Sequence, residues 1–366
     1  MPNPVEQLIE YGQSPWLDTI SRDLLDSGEL SRLAVEDGIR GVTSNPTIFD
    51  QAISRSNTYD ADIAANASDD PDTIFWDLAT ADVARGCDVL RPVYDRTDGG
   101  DGFVSIEVDP NLADDTDGTV AAALELHARI DRPNLLVKIP GTAAGVGAIE
   151  ETIAAGHSVN VTLLFSVERH METAEAYQRG LRRALDGGKD VSRIASVASF
   201  FVSRVDTLVD DLLAKEGSEA ALALQGKAAV ANAKLAYQAF LAKFSGPRWE
   251  ELAAAGARVQ RPLWASTSTK NAGYSDVMYV EPLIGEHTVN TLTQATIEAF
   301  KHHGRPGSTI GTGIGEAEAT MRALADVGVD IDDVTYELER DGVEKFVASF
   351  SDLLGSVREK RAAVHG

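Results

Sequence analysis

Asn-Leu-Leu-Val-Lys-Ile-Pro, residues 134–140, is a short aliphatic run with a lysine, Lys138, near its centre. Such continuous apolar character over so few residues marks a strand buried on both faces, as in a parallel sheet. A charge inside that strand has three readings: a stem lying along the sheet with its head in water, a buried ion pair, or a reagent. At pH 7 a lysine of ordinary pKa, about 10.4, lies about 4 to 5 kcal/mol from its reactive free amine. Apolar burial penalises the ammonium and narrows that gap, which is how proteins prepare a lysine to form a Schiff base. Pro140 and Gly141 stop the strand at once. Lys138 therefore lies near a carboxyl-terminal strand edge, where parallel α/β proteins keep their active sites.

Similar apolar runs recur on both sides, at 15–20, 38–44, 103–109, 158–165, 194–201, 261–267 and 277–283. With the first they make eight, the number that closes a (β/α)8 barrel, and amphipathic segments such as 119–130 and 143–155 separate them. The interval 46–102 is longer and carries periodic apolar positions through 75–94, which predicts extra helices. A second helical insert is expected over 203–257, and a strongly amphipathic segment over 334–364. No composition shift marks a linker. Residues 1–366 read as one α/β barrel domain decorated with helices, with a doubly wound open sheet as the alternative.

Composition narrows the function. Lys and Arg number 33 against 57 Asp and Glu, a net charge of −24, which argues against nucleic acid or anionic membrane as a general partner. An anionic substrate would need a local basic pocket. Cys87 is the single cysteine, so neither an internal disulfide nor a cysteine-based zinc site is available. No stretch has the length of a membrane span, and residues 1–11 lack a basic region followed by an apolar core, so a cytoplasmic location is expected.

The polar residues within or at the ends of these runs carry the chemistry. They are Asp18 in the first, Asn45 after the second, Glu107 in the third, and Asn160 and Thr162, two apart on one face, in the fifth. Taken singly, Asp18 could cap a helix, Asn45 could hold a turn before Pro46, and threonine simply favours strands. Taken together, two acids, two amides and a lysine are too many hard-to-satisfy groups for a dry core, and convergence on one wet pocket is the simpler account. Schiff-base chemistry on a sugar needs an amine, a proton carrier and a base. Lys138, Glu107 and Asp18 fit those needs, amides can orient hydroxyls, and neither metal nor organic cofactor is required.

At these residues the chain resembles the transaldolases. The resemblance runs through Gly-Val-Thr-Ser-Asn-Pro-Thr-Ile-Phe (41–49), Val-Ser-Ile-Glu-Val-Asp-Pro (104–110), Leu-Val-Lys-Ile-Pro-Gly-Thr (136–142) and Asn-Val-Thr-Leu-Leu-Phe-Ser (160–166). It continues through Ala-Ser-Phe-Phe-Val-Ser-Arg-Val-Asp (198–206) to Thr-Val-Asn-Thr-Leu (288–292). It implies a (β/α)8 barrel that moves a dihydroxyacetone unit between sugar phosphates. By the same resemblance Lys138 forms the Schiff base, Asp18 is the base at the substrate hydroxyl, and Glu107 and Thr162 hold the water that shuttles protons. Asn45 and Asn160 would bind the dihydroxyacetone hydroxyls, and Ser199 with Arg204 the phosphate. Where many members have a second phosphate-binding arginine, in the form Ala-Ser-x-Arg-Asn, this chain reads Ala-Ser-Thr-Ser-Thr-Lys-Asn (265–271). Lys270 would replace it, keeping the charge and losing the bidentate fork. The last helical segment would cover the barrel mouth or form a subunit contact, in a monomer or homodimer.

The nearest rival activity is a related aldolase that releases free dihydroxyacetone; its members tend to carry glutamine and tyrosine where Glu107 and Phe201 stand, which favours transfer. A barrel that binds sugar phosphate without turning it over is the rival from another class. Two other signals are set aside. Gly-Ser-Thr-Ile-Gly-Thr-Gly-Ile-Gly (307–315) follows no predicted strand and reads as a connection, not a phosphate cradle. His302 and His303 lack a third metal ligand at a suitable spacing and read as an exposed helix end.

Overall fold

In a computed structural model describing residues 3–365, eight strands close a parallel barrel in chain order. They are β1 (Gln13–Leu17), β2 (Gly41–Val42), β3 (Phe103–Glu107), β4 (Leu135–Pro140), β5 (Val159–Leu164), β6 (Ser196–Phe201), β7 (Arg261–Ala265) and β8 (Thr288–Leu292). Nearly every strand residue is buried, because the barrel interior is filled by one set of side chains and the helical ring covers the other. β1 joins β8 over a five-residue ladder from Gln13↔Thr288 to Leu17↔Leu292, which completes the cylinder. β2 is short, and it packs tightly: a Cβ at Gly41 would lie inside the Trp16 indole, so only glycine brings these strands together.

Seven of the eight expected strands form; the eighth does not lie at 277–283. That segment is a run of turns with a 3₁₀ helix at Glu281–Leu283, and β8 follows it. The reason is visible in the spacing. Val277, Val280 and Leu283 recur every three residues, a helical-turn period, and Pro282 has no N–H to give to a ladder. All three are buried, and the Leu283 carbonyl accepts from Trp264 Nε1 (3.0 Å) and Gln13 Nε2 (2.8 Å). The segment does as irregular chain what a crossover helix does elsewhere.

The interval 46–102 holds helices Pro46–Arg55, Asp60–Ala65 and Pro71–Arg96. Asn45 and Asp70 cap the first and third, each followed by a proline whose missing N–H costs nothing at that position. The last helix, Ile331–His365, packs across this insert. Thr47 bonds Ser349 (2.9 Å), Ser356 bonds Asp50 (2.7 Å), and Phe350 meets Phe75 edge-on with centroids 5.6 Å apart. At its other side Gly342 lies against Leu163 and Phe165. The helix thus spans the carboxyl-terminal mouth of the barrel. No helix among the described residues is long and apolar enough to cross a membrane.

Candidate active site

Three strands bring candidate site residues to one depth. Glu107 on β3 is the register partner of Lys138 on β4, and Lys138 is the partner of Asn160 on β5. Lys138 is 5% exposed and Glu107 6%. The Lys138 ammonium donates to the Ser44 carbonyl (3.0 Å) and to Glu107 Oε2 (3.3 Å), while the second carboxylate oxygen, Oε1, is buried without a protein partner. Burial raises the Glu107 pKa above the ordinary carboxylate value, and Lys138 and Arg204 oppose that rise. Of the readings open for Lys138, snorkelling is excluded by its burial. It is one member of a buried ion pair at the mouth of a barrel.

Thr162 follows Asn160 by two residues and its hydroxyl is likewise buried without a partner. It lies within the slip of the β5–β6 ladder between Val161 and Leu164, where Leu163 takes φ +58°, a conformation costly for a side chain-bearing residue. Such a bulge re-aims neighbouring side chains. Asn160 is fully buried: its amide donates to Ser105 Oγ (3.0 Å) and its oxygen accepts from Ser199 Oγ (2.7 Å).

Asp18 lies one residue past β1, its N–H donating to the Leu292 carbonyl (2.8 Å). Its carboxylate accepts from Thr43 Oγ1 (2.6 Å), which in turn meets Thr291 Oγ1 (2.6 Å). Burial pushes the Asp18 pKa up, with the Thr43 hydrogen bond, Lys138 and Lys270 pulling the other way. Asn45 caps its helix by accepting from the Ile48 N–H (3.0 Å), so the oxygen is spent and the amide nitrogen has no protein partner among the described residues.

Asp18, Asn45, Lys138, Thr162, Ser199, Arg204 and Lys270 line a single cavity of about 360 Å³; Glu107 and Asn160 lie directly beneath it, bonded to Lys138 and Ser199. Arg204 sits in the first turn of the helix Ser203–Glu216, its guanidinium 5.0 Å from the Phe201 ring centroid and its Nη1 buried without a partner. Burial lowers its pKa against Asp341 and Glu107, yet an arginine stays cationic near neutrality. Lys270, in the loop after β7, is exposed and unpaired among the described residues. Two uncommitted cations at the rim form the basic spot that an anionic substrate requires in so acidic a chain.

Thr43 and Phe346 are among the lining residues that sequence reasoning did not mark. Thr43 lay within a quoted motif, but a threonine beside a strand raises no signal by itself. Phe346, from the last helix, faces the cavity with its ring centroid 5.9 Å from Lys138 Nζ, and periodicity identifies a helix face without naming its target. The glycine-rich stretch 307–315 turns out to gather carbonyls: Thr309 and Thr312 accept from Lys234 Nζ at 3.1 and 2.6 Å. It cradles an ammonium, the opposite polarity of a phosphate loop. His303 ends its helix exposed, paired with Asp276 (2.8 Å). A larger cavity of about 730 Å³ opens at the opposite end of the barrel, but Arg261 there is engaged by Ser14 and Asp101, and Arg258 by Asp98.

The family model described as transaldolase/fructose-6-phosphate aldolase matches residues 15–357. A protein named Transaldolase from Parafrankia sp. (strain EAN1pec) is 50% identical over 364 residues, covering 98% of each chain. One from Acidothermus cellulolyticus is 51% identical over 361 residues, 98% of this chain and 96% of its own. A Transaldolase 2 from Nostoc sp. (strain PCC 7120) is 47% identical over 371 residues, 98% and 97%.

Proposed function

We propose that this chain, which belongs to the transaldolase/fructose-6-phosphate aldolase family, moves a dihydroxyacetone unit from a ketose phosphate to an aldose phosphate through a Schiff base on Lys138. The donor and acceptor pair is sedoheptulose 7-phosphate with glyceraldehyde 3-phosphate, giving erythrose 4-phosphate and fructose 6-phosphate. The reading takes the enzyme to work in the cytoplasm, as a monomer or homodimer.

The steps follow from the neighbours of Lys138. The free amine adds to the ketose carbonyl, and loss of water from the carbinolamine leaves an iminium. That cation stands where the ammonium stood, beside Glu107, so the pair keeps its charge complementarity. Asp18 takes the proton of the hydroxyl on the far carbon of the bond to be broken, that carbon becomes the carbonyl of the departing aldose, and the electrons of the carbon–carbon bond flow into the iminium. The enamine then attacks the acceptor aldehyde, Asp18 returns the proton, and hydrolysis frees the lysine. Proton transfers at the carbinolamine need a carrier. Glu107 Oε1 and Thr162 Oγ1, the buried oxygens without partners on the strands either side of β4, would hold one water between them. The Asn45 amide and Asn160 orient the hydroxyls, while Ser199, Arg204 and Lys270 receive the phosphate.

The observation that carries this reading is the buried Lys138–Glu107 pair at the floor of a cavity lined by Lys138 and Asp18. Borohydride reduction in the presence of fructose 6-phosphate should fix a three-carbon adduct on Lys138, absent in Lys138→Ala. A wild-type protein left unlabelled under turnover conditions would refute the mechanism. Transfer is preferred to simple aldol cleavage because Glu107 and Phe201 occupy the discriminating positions; rapid release of free dihydroxyacetone without an acceptor would reverse that choice.

A further inference from the structure

The loop that carries Lys270 has no regular structure, yet it is stitched to the helix that carries Arg204 at three points. Ser266 comes first, immediately after β7: it takes φ +54°, its carbonyl accepts from the Ser203 N–H (3.0 Å), and its hydroxyl meets Ser203 Oγ (2.9 Å). Tyr279 donates to Asp206 Oδ2 (2.9 Å), whose other oxygen accepts from the Ala229 N–H (2.8 Å). Tyr274 donates to Asp210 Oδ2 (2.6 Å), whose other oxygen accepts from the Gly226 N–H (2.8 Å).

Asp206 and Asp210 are four residues apart, hence on one helix face, two and six residues after Arg204. Each aspartate is itself fixed by a backbone N–H, so it is a rigid post and not a swinging side chain. Gly226 lets the Tyr274 ring approach: a Cβ there would lie 2.9 Å from Cζ, at φ +72°. Inside the loop, Gly273 N–H donates to Asn271 Oδ1 (2.9 Å) and Thr269 Oγ1 to the Ser275 carbonyl (2.8 Å), so the short path from Lys270 to Tyr274 is stiff.

We propose that Tyr274, through Asp210, is a positioning residue that fixes Lys270 at a set distance from Arg204, and so determines how well the enzyme recognises the phosphate of its substrates. The inference rests on reading Arg204 and Lys270 as the phosphate pair. Held at both ends, by Ser266 and Tyr274, Lys270 meets a phosphate already bound to Arg204 without first ordering its loop. Preorganisation of this kind recovers part of the affinity lost when lysine replaces the bidentate arginine.

The test compares glyceraldehyde 3-phosphate with unphosphorylated glyceraldehyde as acceptors at saturating fructose 6-phosphate, in wild type, Tyr274→Phe and Lys270→Gln. Tyr274→Phe keeps the ring and removes only the bond to Asp210. It should raise KM for the phosphorylated acceptor about tenfold, with kcat and the KM for glyceraldehyde unchanged. Adding it to Lys270→Gln should change nothing further. If Lys270→Gln shifts the KM ratio but Tyr274→Phe does not, the positioning role fails alone. If Lys270→Gln leaves the ratio untouched, the phosphate reading fails and the proposal with it. Equal losses on both acceptors in Tyr274→Phe would mark a merely structural bond and also overturn the proposal. Asp210→Asn, read the same way, guards against an idiosyncratic effect of the phenylalanine.

Discussion

Glu107 and Lys138 face each other across the β3–β4 ladder, carboxylate to ammonium at 3.3 Å, both nearly excluded from water. A buried pair of this kind is weak evidence for stability, since desolvation offsets much of the attraction. Its value lies in reactivity. Glu107→Gln keeps the shape and removes the proposed proton carrier, so kcat is expected to fall about 100-fold with little change in KM. Steady-state kinetics check this, and a variant with wild-type kcat would remove Glu107 from the proton path.

In the proposed mechanism Asp18 must be ionised to accept a proton, and burial sets its pKa above the ordinary value. Activity is therefore expected to fall as pH drops through that raised pKa, on the acid side. The Thr43 hydrogen bond favours the ionised form, so Thr43→Val is expected to move the acid limb of kcat to higher pH. A pH profile of the variant that overlays the wild type would show that another group sets the limb.

His170 is fully buried against Phe200, 5.8 Å between centroids, with both ring nitrogens unpartnered. Burial holds its pKa down to about 4. The unfolded chain, at the ordinary value of about 6.5, binds a proton that the fold refuses, so stability declines as pH falls from about 6.5 towards 4. The decline is on the order of 3 kcal/mol for this one residue. In urea titrations His170→Leu is expected to be at least as stable as wild type at pH 7 and to lose less on acidification; an unchanged acid slope would rule His170 out as a source. His127, stacked on His157 and also held near 4, supplies a second such contribution.

Gly145 begins the helix after β4, its N–H bonded to Thr142 Oγ1 (3.0 Å), and an added Cβ would run into the Pro140 carbonyl. Backbone cannot yield as a side chain does. Gly145→Ala is expected to cost about 1–3 kcal/mol, seen as a lower Tm, and to weaken activity by displacing the strand that bears Lys138. A fully stable and active alanine variant would mean that β4 tolerates the shift.

Most of the barrel was legible because its central strands are written as aliphatic runs, and a polar residue within such a run stands out. The six positions marked that way, Asp18, Asn45, Glu107, Lys138, Asn160 and Thr162, fall in or directly beneath one cavity, and Ser199, Arg204 and Lys270, marked only by the family resemblance, line it too. β8 was illegible for the complementary reason. Thr-Val-Asn-Thr-Leu, at 288–292, carries polar residues that are buried and satisfied, Asn290 by Thr267 and by the Tyr279 carbonyl, Thr288 by the Gly285 carbonyl. Its polarity concealed a core strand, while the apolar turn before it imitated one. Thr43 and Phe346 act through contacts with residues distant in the chain, which no local pattern records.

The seam between β1 and β8 joins residues 275 positions apart, and the helix that brings Phe346 over Lys138 follows every strand of the barrel in sequence. Such pairings pay the largest loop-closure entropy and form late. During synthesis the growing polypeptide is thus expected to hold Lys138 in an unclosed, uncovered part-cylinder. Sugar-modifying competence should arrive abruptly once the helix Ile331–His365 is made, and a chain arrested short of it would be a sticky open sheet instead of a slow enzyme.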